Sequence, residues 1–196
     1  MNLQKSEDHK NEDVVKKMDG QIGRLTQLIN ELLDVTKIQK GQIQLNESYF
    51  DFDRLVNEVV EEQQMTSRHK MIVSRSRIGD VFADRHRISQ VMANLISNAI
   101  KYSPDVDEVH ISAVSEEDKA RFSVRDFGIG IPADQQSKVF DQYYRISESI
   151  THTFPGLGLG LYISSEIIKR AGGEISVSSV EGEGSDFCFR IPKNKN

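Results

Sequence analysis

A run of alternate glycines occurs late in the chain, where residues 154–164 read FPGLGLGLYIS and lead into a predicted helix. Glycine permits positive φ and lets the backbone approach a ligand closely, and the N–H groups at a helix N-terminus favour an anion. The run therefore predicts one side of a phosphate-binding site. A mobile loop that closes onto a packed helix would have the same residues, so the glycines alone leave both interpretations open.

Composition and charge limit the class of protein. The chain has 196 residues, enough for one well-buried domain with an extension, and its 30 acidic and 25 basic residues give a net charge of −5. No concentrated basic segment is present, which argues against nucleic-acid binding. The single cysteine, Cys188, cannot form an internal disulfide, and no apolar run reaches the length of about 18 residues that spans a bilayer. We expect a cytoplasmic protein, or the cytoplasmic part of a membrane-anchored receptor.

Hydrophobic periodicity predicts the helices and strands. A heptad seam across residues 14–39 ends at Gly41 and is typical of a helix that contacts a partner helix, although an amphipathic helix on its own domain would also show it. Asp84 is suited to cap a helix that Ser103-Pro104 ends. Further helices are expected at 52–64, 85–102 and 159–170, and strands at 42–46, 71–74, 81–83, 108–114, 120–125, 174–178 and 185–191. Between residues 126 and 160 we expect a loop too long to lack a function.

Two groups of polar residues fall on these elements. Asn94, Asn98 and Lys101 lie at i, i+4 and i+7 on one helix face, where two amides and an ammonium suit a hydrated Mg²⁺ with phosphates. A solvated helix face is the alternative. Asp126 follows a strand and begins DFGIGIP, so it can accept a hydrogen bond from an exocyclic amine such as that of adenine, while Gly128 permits a close approach. A tight turn capped by the aspartate is the alternative.

Four segments in order resemble the asparagine, first glycine, phenylalanine and second glycine boxes of the sensor histidine kinases. They are NLISNAIKYSP (94–104), DFGIGIP (126–132), KVFDQYYR (138–145) and GLGLGLYIS (156–164). The ending EGEGSDFCFRIP resembles that family's closing hairpin, and residues 22–45 resemble its second dimerisation helix with the link that follows. The resemblance covers nearly the whole chain.

This resemblance implies an α+β fold, the two-layer Bergerat or GHKL sandwich, in which a mixed sheet is covered by helices on one face. A long dimerisation helix would precede it. Residues 1–41 would then be the remnant of a helical dimerisation region, with its first helix truncated, and residues 42–196 would be the catalytic ATP-binding domain.

The resemblance also implies ATP and Mg²⁺ as cofactors and a role for each matching residue. Asn94 would coordinate Mg²⁺ with support from Asn98, Lys101 would contact phosphate, and Arg145 would reach the γ-phosphate. The remaining nucleotide-binding residues would be Tyr102, Asp126 at the adenine amine, Gly128, Gly130, Ile131, Gly156, Leu157, Gly158, Leu159, Gly160 and Leu161. Leu157 departs from the family, which commonly has a small hydroxyl residue there.

A larger departure concerns the phosphoacceptor. The family's acceptor box is a histidine followed by an acidic residue and then by a basic residue with Thr-Pro. None of the five histidines here precedes an acidic residue, and the chain has no Thr-Pro. We therefore expect a protein-histidine kinase domain that binds Mg-ATP, does not phosphorylate itself, and is a piece of a larger kinase. Its partners would be a histidine-bearing dimerisation region, a response regulator and a second copy through helix 14–39.

Two other classes remain open from the sequence. A GHKL ATPase that hydrolyses ATP would place a glutamate on the asparagine-box helix, and residues 85–102 contain none. A non-catalytic interaction module with a decayed nucleotide site would have lost some of Asn94, Asn98, Lys101 and Asp126, all of which are present. Both observations favour phosphoryl transfer.

Overall fold

The computed structural model describes residue 18 and residues 21–23, 25–26, 28–42, 44–146 and 157–195. The chain divides into two compact units, residues 1–43 and 44–196. In the first unit, helix α1 is helical at every described position of residues 21–39, as the heptad pattern predicts. Its apolar residues Ile22, Leu25 and Ile29 are 60%, 59% and 49% exposed. The first unit therefore presents its apolar seam on its surface.

The described residues of the second unit form a mixed five-stranded sheet, a separate strand pair and three helices. In chain order its elements are β1 (Ser48–Asp51), α2 (Phe52–Thr66), β2 (Lys70–Arg75), β3 (Asp80–Ala83), α3 (Arg85–Tyr102), β4 (Glu108–Glu116), β5 (Lys119–Arg125), α4 (Gly160–Arg170), β6 (Glu174–Val180) and β7 (Gly184–Pro192). The sheet order is β2-β4-β5-β7-β6, while β1 and β3 form a separate antiparallel pair. Only β2 and β4 run parallel within the sheet. The predicted α+β sandwich is confirmed.

The core lies between the sheet and the helices. Inward positions alternate with outward ones along the strands, so Phe122 of β5 and Phe189 of β7 meet with ring centroids 5.4 Å apart and no exposed surface. Met92 and Leu95 of α3 are fully buried as well. Each such side chain contributes about 1.5–3 kcal/mol through burial. This packing fixes α3 against the sheet.

The start of α3 follows the prediction, whereas one predicted strand is wrong. The Asp84 carboxylate accepts a hydrogen bond from the N–H of Arg87 at 3.1 Å, which caps the helix. Its other oxygen accepts from the N–H of Asn46 at 2.9 Å. Described positions of residues 42–46 form no strand, and the N–H of Asn46 is bonded to the cap of α3 rather than to a neighbouring strand. The strand begins at Ser48, which pairs with Ala83.

The long loop after β5 is also present. Residues 126–146 contain neither helix nor strand, as the sequence predicts for the first part of this region. Gly156 lies outside the described residues. In the part of the chain that the structure describes, no helix combines the length and apolar character needed to cross a membrane.

Candidate functional site

Helix α3 carries the polar stripe that the sequence singles out. Asn94, Asn98 and Lys101 occupy one face of α3, and all three are half-buried. The ammonium of Lys101 lies 4.9 Å from the ring centroid of Tyr102, the last residue of the helix. The apolar face of α3 is anchored in the core, so the stripe is held at a fixed place beside α4.

The second glycine run meets this stripe at Asn94. The Asn94 Nδ2 group donates a hydrogen bond to Oγ of Ser164 at 3.0 Å. Gly160, the first residue of α4, lies so close that a side chain there would collide with Oδ1 of Asn94. The absence of a Cβ at Gly160 therefore allows the start of α4 to approach the amide of Asn94.

The N-terminus of α4 has the features of an anion site. Its N-cap residue, Leu159, makes no side-chain capping hydrogen bond. The N–H groups of the first turn, which includes Leu161, therefore receive no cap from the Leu159 side chain, and the helix dipole favours a negative charge there. Leu159 itself has no exposed surface, whereas Leu157 is 38% exposed.

The phenylalanine-box segment lies against the same glycine run. Gly158 has a φ of +70°, and a side chain there would press on the backbone of Tyr143 and Tyr144 and on Cγ of Arg145. Tyr143 adopts a φ of +63°, which costs energy for a residue with a side chain. Arg145 is thus placed beside Gly158, next to the start of α4.

Asp126 lies at the end of β5, with 3% of its surface exposed. Its Oδ1 accepts hydrogen bonds from the N–H groups of Gly128 at 3.0 Å and Ser185 at 3.3 Å. Burial raises the pKa of the Asp126 carboxyl above its ordinary value, and these two hydrogen bonds oppose the rise. Since both bonds use Oδ1, a ligand donor would use Oδ2.

The first glycine run connects Asp126 to the end of α3. A side chain at Gly128 would collide with the carbonyl oxygen of Tyr102, and the N–H of Ile129 donates to that oxygen at 3.2 Å. Gly130 lies equally close to the backbone of Val180. The two glycines let the loop pass between α3 and the β6–β7 hairpin.

Sequence reasoning missed the residues that hold this loop from the hairpin side. Oγ of Ser179 accepts a hydrogen bond from the N–H of Ile131 at 2.8 Å, and Nε2 of Gln136 donates to the carbonyl of Ile131 at 3.0 Å. The N–H of Ser185 binds Asp126, and its carbonyl accepts from the Asp126 N–H at 2.9 Å. The alternate glycines of EGEGS could have indicated this part of the site from the sequence, because they repeat the spacing of the other two glycine runs.

The donor set suits a metal held jointly with phosphates. Across the described residues, no group of three or more histidine, cysteine, aspartate or glutamate side chains could hold a metal ion. Mg²⁺ prefers oxygen ligands and is often bound through few protein groups together with substrate phosphates and water. The Asn94 amide at the N-terminus of α4 fits such a partial site, whereas a metal held by protein ligands alone does not fit.

The structure thus forms two ends of one candidate site. Asn94, Gly158, Gly160 and Arg145 come together at the start of α4, while Tyr102, Asp126, Gly128 and Ile131 come together at the end of α3. Asn98 and Lys101 lie on the helix that joins the two ends. Both ends lie in the α+β sandwich that the sequence predicts.

Comparison with known proteins places the chain in a family. Residues 83–195 match the family of histidine kinase-, DNA gyrase B-, and HSP90-like ATPases. The chain is 36% identical over 174 residues to the sensor histidine kinase WalK of Bacillus subtilis, across 86% of this chain and 28% of WalK. The chain therefore belongs to the histidine kinase-, DNA gyrase B-, and HSP90-like ATPase family. It spans little more than a quarter of WalK, 28% of its length.

Solved structures show the same fold. Full-length ShkA, in complex with AMPPNP, has a TM-score of 0.80 at 24% identity and is covered over 40% of its chain by 95% of this one. The histidine kinase ThkA, in complex with the response regulator TrrA, has a TM-score of 0.69 at 26% identity, over 92% of this chain and 51% of that chain.

Proposed function

We propose that this chain binds Mg-ATP between α3 and α4 and donates the γ-phosphoryl group to a histidine of a sensor-kinase dimerisation region. The observation that supports the proposal is that two chemically different groups lie at separate points along α3. A buried carboxylate, Asp126, lies near the C-terminal end of α3, and an uncapped helix N-terminus meets Asn94 in its middle. A purine amine and a polyphosphate are the two groups that such ends recognise.

At the adenine end, Asp126 would accept a hydrogen bond from the exocyclic amine through Oδ2. Gly128, Gly130 and Ile131 would form the wall beside the ring, and Tyr102 would pack near the nucleotide. The hydrogen bonds from Gly128 and Ser185 fix the carboxylate before a ligand arrives, which limits the entropy lost on binding.

At the phosphate end, Asn94 would supply an amide oxygen to Mg²⁺, and Asn98 would support the metal and the phosphates. Lys101 and Arg145 would neutralise phosphate charge, with Arg145 at the γ-phosphate. Backbone N–H groups of the second glycine run would complete the site through Gly156, Leu157, Gly158, Leu159, Gly160 and Leu161. A Mg²⁺ held by Asn94 would offset the negative charge of the phosphates.

The chemistry required of the chain is positioning and charge neutralisation, because phosphoryl transfer needs little covalent work from the protein. Hydrolysis needs a group that orients and activates water. Helix α3 contains no glutamate between Arg85 and Tyr102, so transfer to a histidine is favoured over ATP hydrolysis.

The domain assignment and the partners belong to the same proposal. Residues 1–41 would be part of the helical dimerisation region, and residues 42–196 the catalytic domain. The exposed apolar residues of α1, such as Ile22 and Leu25, suit a second copy of the chain. The receiver of the phosphoryl group after the histidine would be a response regulator, as the ThkA–TrrA complex suggests by analogy.

Calorimetric titration with AMPPNP tests the binding step, and we expect saturable binding that requires Mg²⁺. Incubation with labelled ATP tests the acceptor, and we expect no acid-labile label on this chain. Absence of nucleotide binding would refute the proposed site. Robust acid-labile labelling would instead show that one of the five histidines is an acceptor.

A further inference from the structure

Ser164 of α4 contacts the side chain to which we assign the metal. Its Oγ accepts a hydrogen bond from Nδ2 of Asn94 at 3.0 Å, although the two residues are 70 positions apart. Ser164 is 2% exposed and lies on the buried face of α4. A buried hydroxyl that contacts a candidate metal ligand can control the orientation of that ligand.

Orientation matters because the two ends of an asparagine amide are chemically different. Mg²⁺ accepts oxygen ligands, so a half-turn of the amide would present an N–H₂ group that repels the cation. Asn94 is only half-buried and extends from a helix face, so its backbone alone does not choose between the two orientations.

In the structure, contacts with α4 correspond to one of the two orientations of the Asn94 amide. Nδ2 is directed at Ser164, and Oδ1 lies at Gly160, the first residue of the helix. Gly160 and Ser164 are four residues apart and therefore lie on the same face of α4. With Nδ2 bonded to Oγ of Ser164, Oδ1 is the end of the amide that remains for a cation.

We propose that Ser164 is a positioning residue that holds Nδ2 of Asn94 and so directs Oδ1 towards Mg²⁺ and the phosphates at the start of α4. This inference rests on the proposed function, since it needs Asn94 to be a metal ligand. It gives a role to Ser164, the last residue of the segment 156–164, to which the sequence alone assigns none.

The test compares metal-dependent and metal-free nucleotide binding in the full chain. Ser164→Ala removes the acceptor and leaves the Nδ2 donor of Asn94 without that partner, so we expect about tenfold weaker binding of AMPPNP with Mg²⁺. Binding of AMPPNP in EDTA should change by less than about twofold, because the orientation of Asn94 matters only to the metal. A purely structural role for Ser164 would weaken both.

Ser165→Ala is the matched control, because Ser165 is 3% exposed on the same helix and the Asn94 hydrogen bond goes to its neighbour. It should bind Mg-AMPPNP as the wild type does. A double-mutant cycle adds a second readout: in an Asn94→Ala background, Ser164→Ala should cause no further loss. Thermal unfolding of each variant verifies that it is folded.

The outcomes separate this inference from the proposed function. If the wild type binds Mg-AMPPNP but Ser164→Ala behaves like Ser165→Ala, the inference is overturned and the proposed function stands. Equal loss with and without Mg²⁺, or additive losses in the cycle, would also overturn it. If the wild type binds without any dependence on Mg²⁺, both the metal role of Asn94 and the inference fail.

Discussion

Replacing Asp126 with asparagine should separate nucleotide binding from folding. The amide keeps an oxygen that can accept the hydrogen bonds from Gly128 at 3.0 Å and Ser185 at 3.3 Å. Its other end becomes an N–H₂ donor, which cannot accept a hydrogen bond from an adenine amine. A hydrogen bond to a charged group contributes about 1.5–3 kcal/mol. We therefore expect Asp126→Asn to weaken binding of Mg-AMPPNP roughly 10- to 150-fold.

The free energy of unfolding should respond differently. Burial raises the pKa of Asp126 in the folded protein above its unfolded value, so the folded state favours the protonated carboxyl. The resulting stabilisation is complete below the unfolded pKa and is lost as the pH rises through the folded pKa. At neutral pH the ionised carboxylate is therefore a net cost to folding. Asp126→Asn removes that charge and should leave the neutral-pH stability unchanged or slightly higher.

Calorimetric titration and thermal unfolding, made on the same samples, test both halves of this prediction. Asp134→Asn is the control, since it removes the same charge from an exposed residue of the loop. As the pH falls through the folded pKa of Asp126, wild-type affinity should decrease, because the carboxylate is the form that accepts the hydrogen bond. The variant should lack this step. Unchanged affinity in Asp126→Asn would remove Asp126 from the adenine site, and a large loss of stability would refute the account of its burial.

Three other substitutions probe α3 and its contacts. Gly160→Ala would displace the Asn94 amide, so titrations should show weaker AMPPNP binding with Mg²⁺ than in EDTA. Leu95→Ala removes a fully buried side chain and should lower the free energy of unfolding by about 2–5 kcal/mol in urea denaturation. Asp84→Ala deletes the N-cap of α3 and should cost about 1–2 kcal/mol in the same assay.

The bounds of α3 could be predicted from sequence because several local preferences agree. Asp84 caps the helix, apolar residues recur with helical period, and Ser103-Pro104 disfavours its continuation, so the helix covers Arg85–Tyr102 as predicted. The strand expected at 42–46 was wrong because alternation describes only one side of a pairing. Whether a strand forms depends on a distant partner, and the N–H of Asn46 binds Asp84 instead.

The candidate site also contains some residues that the sequence predicts and others that it does not. Asparagines, glycines and an aspartate at fixed spacings are visible in the sequence, since each is required by local geometry or by charge. The serines that contact these residues cannot be recognised in the sequence, because serine is common in turns and helices for many reasons. Ser185 reaches Asp126 across 59 residues and Ser164 reaches Asn94 across 70. Only the tertiary fold brings these pairs together.

Helix α3 sets the distance between the two ends of the proposed site. The loop with Asp126 is tied to its last residue through Tyr102, and α4 is tied to its middle through Asn94. Because the apolar face of α3 is fully buried in the core, neither attachment can shift without repacking that core. The carboxylate of Asp126 and the amide of Asn94 therefore keep their separation. In the proposed complex, α3 would therefore set the distance between the residues that bind the base and those that bind the phosphates. The loops would add contacts to the nucleotide without setting that distance.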